Sequence, residues 1–168
     1  TYIINYPKLP ATNSGTVTIT DLGGTDAVIV NGSDDADELW IKTTATTTTV
    51  MRGNPAAEPI VFSGSIESLR LNGLGGNDIL NVQPSILQPI TVDGGAPGYA
   101  GPGTPPGNTL KLDTFGNGFS LVAPKIFVQG GTPTDFKPIT VIGIQRLPIE
   151  PVSPLVNPLK FDFNEKFS

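Results

Sequence analysis

The chain has 168 residues and a mass of 17.5 kDa, and its 20 Gly and 17 Pro exclude a mostly helical protein. Charged residues are only 15%, and 10 Lys and Arg against 15 Asp and Glu give a net charge of −5. Nucleic acid and anionic membrane surfaces are therefore poor partners, because their phosphates would repel the chain. Cys and His are both absent, which excludes thiol and imidazole nucleophiles, Ser-His-Asp triads and Cys/His zinc sites.

Short runs of alternating apolar and polar residues recur along the chain. Alternation of this kind is typical of strands that bury one face. Clusters of Gly, Asn, Asp and Pro separate the runs, and these residues favour turns. The sequence therefore predicts an all-β fold without helices, and no apolar run is long enough to span a bilayer. The first apolar residues of the runs are Val17, Val28, Leu39, Leu69, Leu80, Ile90, Leu110, Phe119, Ile126 and Ile139.

The spacing of the runs predicts a repeating architecture. Equivalent apolar residues follow one another at intervals of roughly 10 to 12, as in the series Val17, Val28, Leu39 and again Leu69, Leu80, Val92. This regularity favours a parallel β-solenoid, a β-helix-like stack of short strands joined by Gly, Asn and Asp turns. An antiparallel β-sandwich is the alternative, because alternation and turn residues suit it equally well.

Three segments follow from composition and spacing. Residues 1–14 form an N-terminal tail with an edge strand, residues 15–149 form the solenoid domain, and residues 150–168 form a proline-rich linker and a terminal strand. Within the domain, the threonine-rich stretch 43–49 is predicted to be a solvent-facing strand. The stretch 94–107 is a Gly/Pro-rich insertion between two strands, long enough to be a binding loop.

One stretch resembles a known repeat. Gly73-Leu74-Gly75-Gly76-Asn77-Asp78-Ile79-Leu80-Asn81 is similar to the nonapeptide of hemolysin-type calcium-binding (RTX-like) proteins, from which it departs at the second glycine. Residues 21–29 and 32–40 resemble weaker copies. As a whole, residues 15–149 resemble the degenerate β-solenoid segments of very large secreted bacterial surface proteins. The resemblance implies stacked turns that hold Ca²⁺ between aspartate carboxylates and turn carbonyls.

Acidic residues concentrate at the predicted turns. Six of the fifteen carboxylates fall within 18 residues, and Ca²⁺ is the natural hard cation to screen such density. Turn aspartates also hydrogen-bond to their own backbone without any metal, so both explanations stand. The candidate metal ligands are Asp26, Asp34, Asp35, Asp37 and Asp78.

Three aromatic residues are candidates for contact with a carbohydrate or a protein partner. Trp40 lies between inward Leu39 and Ile41, so alternation points it outward. Phe127 has the same position in its run, and Tyr99 lies in the Gly/Pro-rich insertion. Packing against neighbouring strands explains these residues equally well.

The two ends of the chain carry further alternating runs. Tyr2 and Ile4 mark the first, and Phe161 and Phe163 mark the last. Each run can pair with an exposed sheet edge, including the edge of another copy or of a neighbouring domain. Strand exchange of this kind between subunits would build a filament.

These features predict a secreted or cell-surface structural module without catalytic activity: a spacer, an adhesin segment or a filament subunit, stiffened by calcium. A carbohydrate-binding module is one alternative, and a polysaccharide-acting β-helix enzyme is another. The enzyme would need paired carboxylates or carboxylate-bound Ca²⁺ beside a base. Basic residues are scattered along this chain, so no catalytic residue is assigned.

Overall fold

The computed structural model describes residues 1–6, 16–20, 23–53, 59–64, 66–97, 107–129 and 136–147. Every regular element in these residues is a β-strand, which confirms the all-β prediction. No helix that could cross a membrane occurs in these ranges. The strands are β1 (Tyr2–Asn5), β2 (Val17–Thr20), β3 (Ala27–Asn31), β4 (Glu38–Thr43), β5 (Thr47–Arg52), β6 (Ile60–Ser63), β7 (Ser68–Asn72), β8 (Gly75–Gly76), β9 (Ile79–Val82), β10 (Ile90–Asp93), β11 (Ala96–Pro97), β12 (Thr109–Leu112), β13 (Phe119–Val122), β14 (Lys125–Val128) and β15 (Ile139–Ile142).

The strands form two large sheets and one small one. The seven-stranded sheet has the order β1-β3-β7-β10-β15-β14-β13, and the six-stranded sheet has the order β12-β9-β4-β5-β6-β2. The small sheet pairs β8 with β11 in parallel. The chain passes from one large sheet to the other at a corner, so that β3 leads to β4, β7 leads through β8 to β9, and β10 leads through β11 to β12. We call these three units layers one, two and three.

The sheets are mixed, which corrects the prediction of a purely parallel stack. Strands of successive layers do pair in parallel. However, β5 is antiparallel to both β4 and β6, and β14 is antiparallel to both β13 and β15. The physical reason is connection length, because a tight turn can join only antiparallel neighbours. One such turn starts at Thr44, whose N–H donates to the Thr47 carbonyl (2.9 Å), so residues 43–49 are two strands and a turn rather than one strand.

The interval of 10 to 12 residues separates strands on different sheets. Val28 and Leu69 lie in the seven-stranded sheet, whereas Leu39 and Leu80 lie in the six-stranded sheet. The residues that stack directly on one another are 41 apart between layers one and two, as in Val28 on Leu69. Between layers two and three, Leu69 stacks on Ile90, 21 residues later. The spacing in the sequence therefore records the passage between sheets, and the variable loops set the true repeat.

Aliphatic ladders fill the space between the large sheets. Their members come from the inward positions of paired strands, and every one is buried. Each such side chain contributes roughly 1.5–3 kcal/mol on burial. The ladders are Val28-Leu69-Ile90-Ile139, Val30-Leu71-Val92-Val141 and Leu39-Leu80-Leu110.

The two ends of the seven-stranded sheet differ. At one end β1 is outermost and pairs only with β3 among the described strands. Tyr6 anchors β1, because its N–H donates to the Asn31 carbonyl (2.9 Å) and its hydroxyl donates to the Val50 carbonyl (3.0 Å). At the other end, the β13–β14 hairpin covers the parallel strand β15.

Candidate functional site

Three polar side chains stand one above another where each layer turns its corner. Asp37, Asp78 and Asn108 immediately precede β4, β9 and β12, and all three are buried. The N–H of Asp37 donates to Asp78 Oδ1 (2.8 Å), and the N–H of Asp78 donates to Asn108 Oδ1 (2.9 Å). We call these three residues the corner file. Each side chain satisfies a backbone donor of the layer before it, a donor that strand pairing leaves free.

Glycine is required opposite the file. A Cβ atom added at Gly73 would lie closer than 3.0 Å to both Asp78 Oδ2 and the Gly94 carbonyl oxygen. At Gly94 the same addition would collide with the Asn108 side chain, and at Gly32 it would collide with the Asp37 carboxylate. The absence of a Cβ therefore makes the room in which the polar side chains sit.

Arg52 and Gln145 close the file at its ends. Arg52 donates from Nε (2.7 Å) and Nη2 (2.6 Å) to Asp37 Oδ1, where no earlier layer supplies a backbone donor. Gln145 Oε1 accepts the N–H of Asn108 (2.6 Å) at the other end. Sequence reasoning found the aspartates and the equivalent Asn108, but it missed both closing residues, because neither shares the offset of the repeat.

The second side-chain atom of each file residue has different surroundings. Asp37 Oδ2 accepts from the N–H (2.6 Å) and hydroxyl (2.9 Å) of Ser33. Asn108 Nδ2 donates to the carbonyls of Gly94 (2.7 Å) and Gly143 (3.1 Å). Asp78 Oδ2 is buried and has no hydrogen-bond partner. Burial raises the pKa of Asp78 from its ordinary 3.8 to about 6, against an opposing hydrogen bond from the Asp37 backbone and with a smaller contribution from the Asp37 charge.

An amide ladder runs along the ends of the parallel strands. Asn31 Nδ2 donates to Asn5 Oδ1 (2.7 Å), and Asn72 Nδ2 donates to Asn31 Oδ1 (2.7 Å). Arg70 then joins Asn72 Oδ1 (2.6 Å) to Asp93 Oδ2 (2.5 Å). The signal for this ladder was in the sequence, since an Asn or Asp precedes glycine at the ends of β3, β7 and β10.

The five candidate metal ligands occupy three different environments. Asp37 and Asp78 belong to the corner file, whereas Asp34 and Asp35 are exposed on the corner of layer one. Asp26 lies at another turn, where its N–H donates to the Glu67 carboxylate. Within the described residues, no three His, Cys, Asp or Glu side chains gather as a metal site. Calcium binding stays a prediction, and Asp34 and Asp35 are the solvent-facing pair.

The structure separates two of the aromatic candidates. Trp40 is half-buried on the outer face of the six-stranded sheet, with Lys42 Nζ 5.9 Å from the ring centroid. Its indole Nε1 is buried without a partner. Phe127 is 40% exposed on β14 of the seven-stranded sheet. Tyr99 lies outside the described residues, so the carbohydrate-binding alternative stays a prediction.

The candidate pairing residues at the start of the chain lie at the open sheet edge. Tyr2 and Ile4 are on β1, opposite Val28 and Val30 of β3. Tyr2 is 43% exposed although it occupies an inward position, because no described strand covers β1. Phe161 and Phe163 lie outside the described residues.

Comparison with protein-family models, with curated proteins and with solved structures finds no significant match to this chain. The arrangement is therefore interpreted through its own geometry. That geometry consists of buried polar groups that join successive layers and of a sheet edge that is open at β1.

Proposed function

We propose that this chain is a non-catalytic structural module of an extracellular or cell-surface protein, and that it assembles end to end through the open edge at β1. It serves as a spacer, an adhesin segment or a filament subunit. The observation that carries the proposal is the contrast between the edge at β1 and the opposite end of the same sheet, where an antiparallel hairpin covers β15.

The finer architecture that we propose is a short β-solenoid interrupted by hairpins. Its support is the in-register pairing of the three layers on both large sheets, together with the corner file and the amide ladder that repeat in each layer. Layers of this kind interact mainly with their neighbours, so length can be added without altering the core. Mechanical spacing and end-to-end assembly are the roles that such a stack suits.

The backbone groups at the β1 edge are ready for another strand. Tyr6 directs its N–H toward β3, and backbone groups alternate along a strand. The N–H and C=O groups of Ile3 and Asn5 therefore point away from β3. The Ile3 side chain is 64% exposed, and Val17 on the terminal strand of the six-stranded sheet is 55% exposed. An incoming strand would cover these apolar groups while it satisfies the backbone.

The terminal run of the chain has the sequence pattern of a strand of the seven-stranded sheet. Phe161-Asp162-Phe163-Asn164 places apolar residues at its first and third positions and an asparagine at its fourth. In register with β1, Asn164 would extend the amide ladder beyond Asn5. We propose this run from a second copy as the incoming strand. The described strands with the same pattern are Tyr2–Asn5, Val28–Asn31, Leu69–Asn72 and Ile90–Asp93.

A proline at position 3 tests the edge. Ile3→Pro removes only an N–H that faces away from β3, and proline is tolerated on an edge strand when that side faces solvent. Sedimentation of the full chain across micromolar concentrations should show concentration-dependent assembly that Ile3→Pro weakens at least about tenfold, roughly the loss of one hydrogen bond with added steric blockage. Ile3→Thr, which keeps the N–H, is the matched control. A wild-type chain that stays at 17.5 kDa throughout would contradict end-to-end assembly.

A further inference from the structure

The carboxyl group of Asp78 is the least explained polar group in the corner file. Its residue is 0% exposed, and Oδ1 accepts the N–H of Asp37 (2.8 Å). Its other oxygen, Oδ2, is buried with no partner among the described residues. An ionised carboxylate oxygen in this state is expensive, because it has lost water and gained no donor.

The corner around Asp78 has the geometry of the corner around Asn108. Leu74 has a positive φ of 73°, close to the 69° of Gly95, the equivalent residue of layer three. Ser33, the equivalent residue of layer one, is not among the residues with positive φ, and its N–H points to Asp37. The corner of layer two is therefore shaped like the one in which a side chain donates, not like the one in which a side chain accepts.

The atoms opposite Asp78 Oδ2 are acceptors. A Cβ atom built on Gly73 would be closer than 3.0 Å to both Asp78 Oδ2 and the Gly94 carbonyl oxygen. One layer later, a Cβ on Gly94 would be equally close to Asn108 Nδ2 and to the Gly143 carbonyl oxygen. Asp78 Oδ2 thus takes the place of an amide nitrogen that donates to such a carbonyl (3.1 Å). Two acceptors that face each other need a hydrogen between them.

We propose that Asp78 is folded into the stack as a neutral carboxylic acid that donates its O–H to a backbone carbonyl of the adjoining glycine corners, and that loss of this proton weakens the joint between layers two and three. The protein would thereby carry a pH-sensitive joint inside its core. The raised pKa of Asp78, about 6 because of burial, agrees with this assignment.

Charged groups on the neighbouring elements set the surroundings of the joint. Asp37, on the preceding layer, is paired with Arg52. Asp93 precedes the corner of layer three and is paired with Arg70. Asp34 and Asp35 are exposed on the corner that stacks on Gly75 and Gly76. These pairings leave burial as the dominant influence on Asp78.

The direction of the pH effect follows from linkage. The folded pKa of about 6 lies above the ordinary 3.8, so the folded chain holds a proton that the unfolded chain releases earlier. Stability from this group is complete below pH 3.8, falls as pH rises toward 6, and is constant above that value. A shift of about two pKa units corresponds to a roughly 100-fold fall in the folding equilibrium constant across the window.

Urea unfolding of the full chain between pH 4 and pH 8 tests the joint. The ratio of the wild-type folding constant to that of Asp78→Asn should fall roughly 100-fold between pH 4 and pH 7, because the amide always donates. Asp34→Asn, an exposed residue on the neighbouring corner, is the matched control and should follow the wild type. A ratio that does not change with pH would overturn the proposal.

Two further measurements make the result decisive. The ¹³C carboxyl resonance of Asp78 in the folded wild type should titrate about two pH units above its ordinary 3.8, and a midpoint near 3.8 would overturn the proposal even if the asparagine variant failed to fold. Unfolding at pH 7.5 with CaCl₂, KCl or chelator provides the other arm. If a cation stabilises the wild type but not Asp78→Asn, the corner binds that cation and the neutral-acid assignment is wrong.

Discussion

Leu80→Ala is the sharpest test of the stacked core. Leu80 is fully buried on β9, between Leu39 of layer one and Leu110 of layer three, which are also fully buried. The backbones of these layers are joined by strand pairing at about 4.8 Å, so they cannot close over the space that the variant leaves. We therefore expect the upper part of the Leu-to-Ala range, about 3–5 kcal/mol.

The assay is equilibrium unfolding in urea with thermal unfolding beside it. A loss of about 3–5 kcal/mol lowers the melting temperature by roughly 6–20 °C in a chain of this size. Ile79→Ala is the control, because Ile79 is the preceding residue on the same strand, faces outward and is half-buried. It should lose about 1 kcal/mol.

A double-mutant cycle separates stacking from simple burial. Because Leu80 and Leu110 are direct partners in the ladder, the two alanine variants should be coupled by about 0.5–3 kcal/mol. Additive losses, or a loss for Leu80→Ala that is no larger than that for Ile79→Ala, would refute the in-register stacking on which the proposed architecture depends.

Two further predictions concern the corners. Gly73→Ala should cost about 3 kcal/mol or prevent folding, because the new Cβ would press on Asp78 Oδ2 and on the rigid Gly94 carbonyl; Gly118→Ala, whose Cβ would meet only the flexible end of Gln129, should change urea stability little. Excess Ca²⁺ should raise the thermal midpoint over that with chelator, by about 2.7 kcal/mol at a hundredfold excess over Kd. An unchanged midpoint would assign the acidic corners to turn hydrogen bonding.

Much of the candidate site could be recognised from local pattern. The aspartates and Asn108 share an offset of two residues before an inward leucine, and this offset is what places each of them at a corner. Arg52 could not be recognised in that way. It reaches Asp37 because the β4–β5 hairpin turns the chain back on itself, and no repeat marks its position.

The sequence by itself determined that the protein is all-β, where most strands lie and which side chains face inward. These properties depend on alternation and turn chemistry within a few residues. Only the tertiary structure decided which strands pair, where hairpins interrupt the parallel layers and why Asp37 is ion-paired while Asp78 is not. The physical reason is that pairing and burial depend on groups distant in sequence, such as the Gly94 carbonyl that faces Asp78, and a local pattern does not specify them.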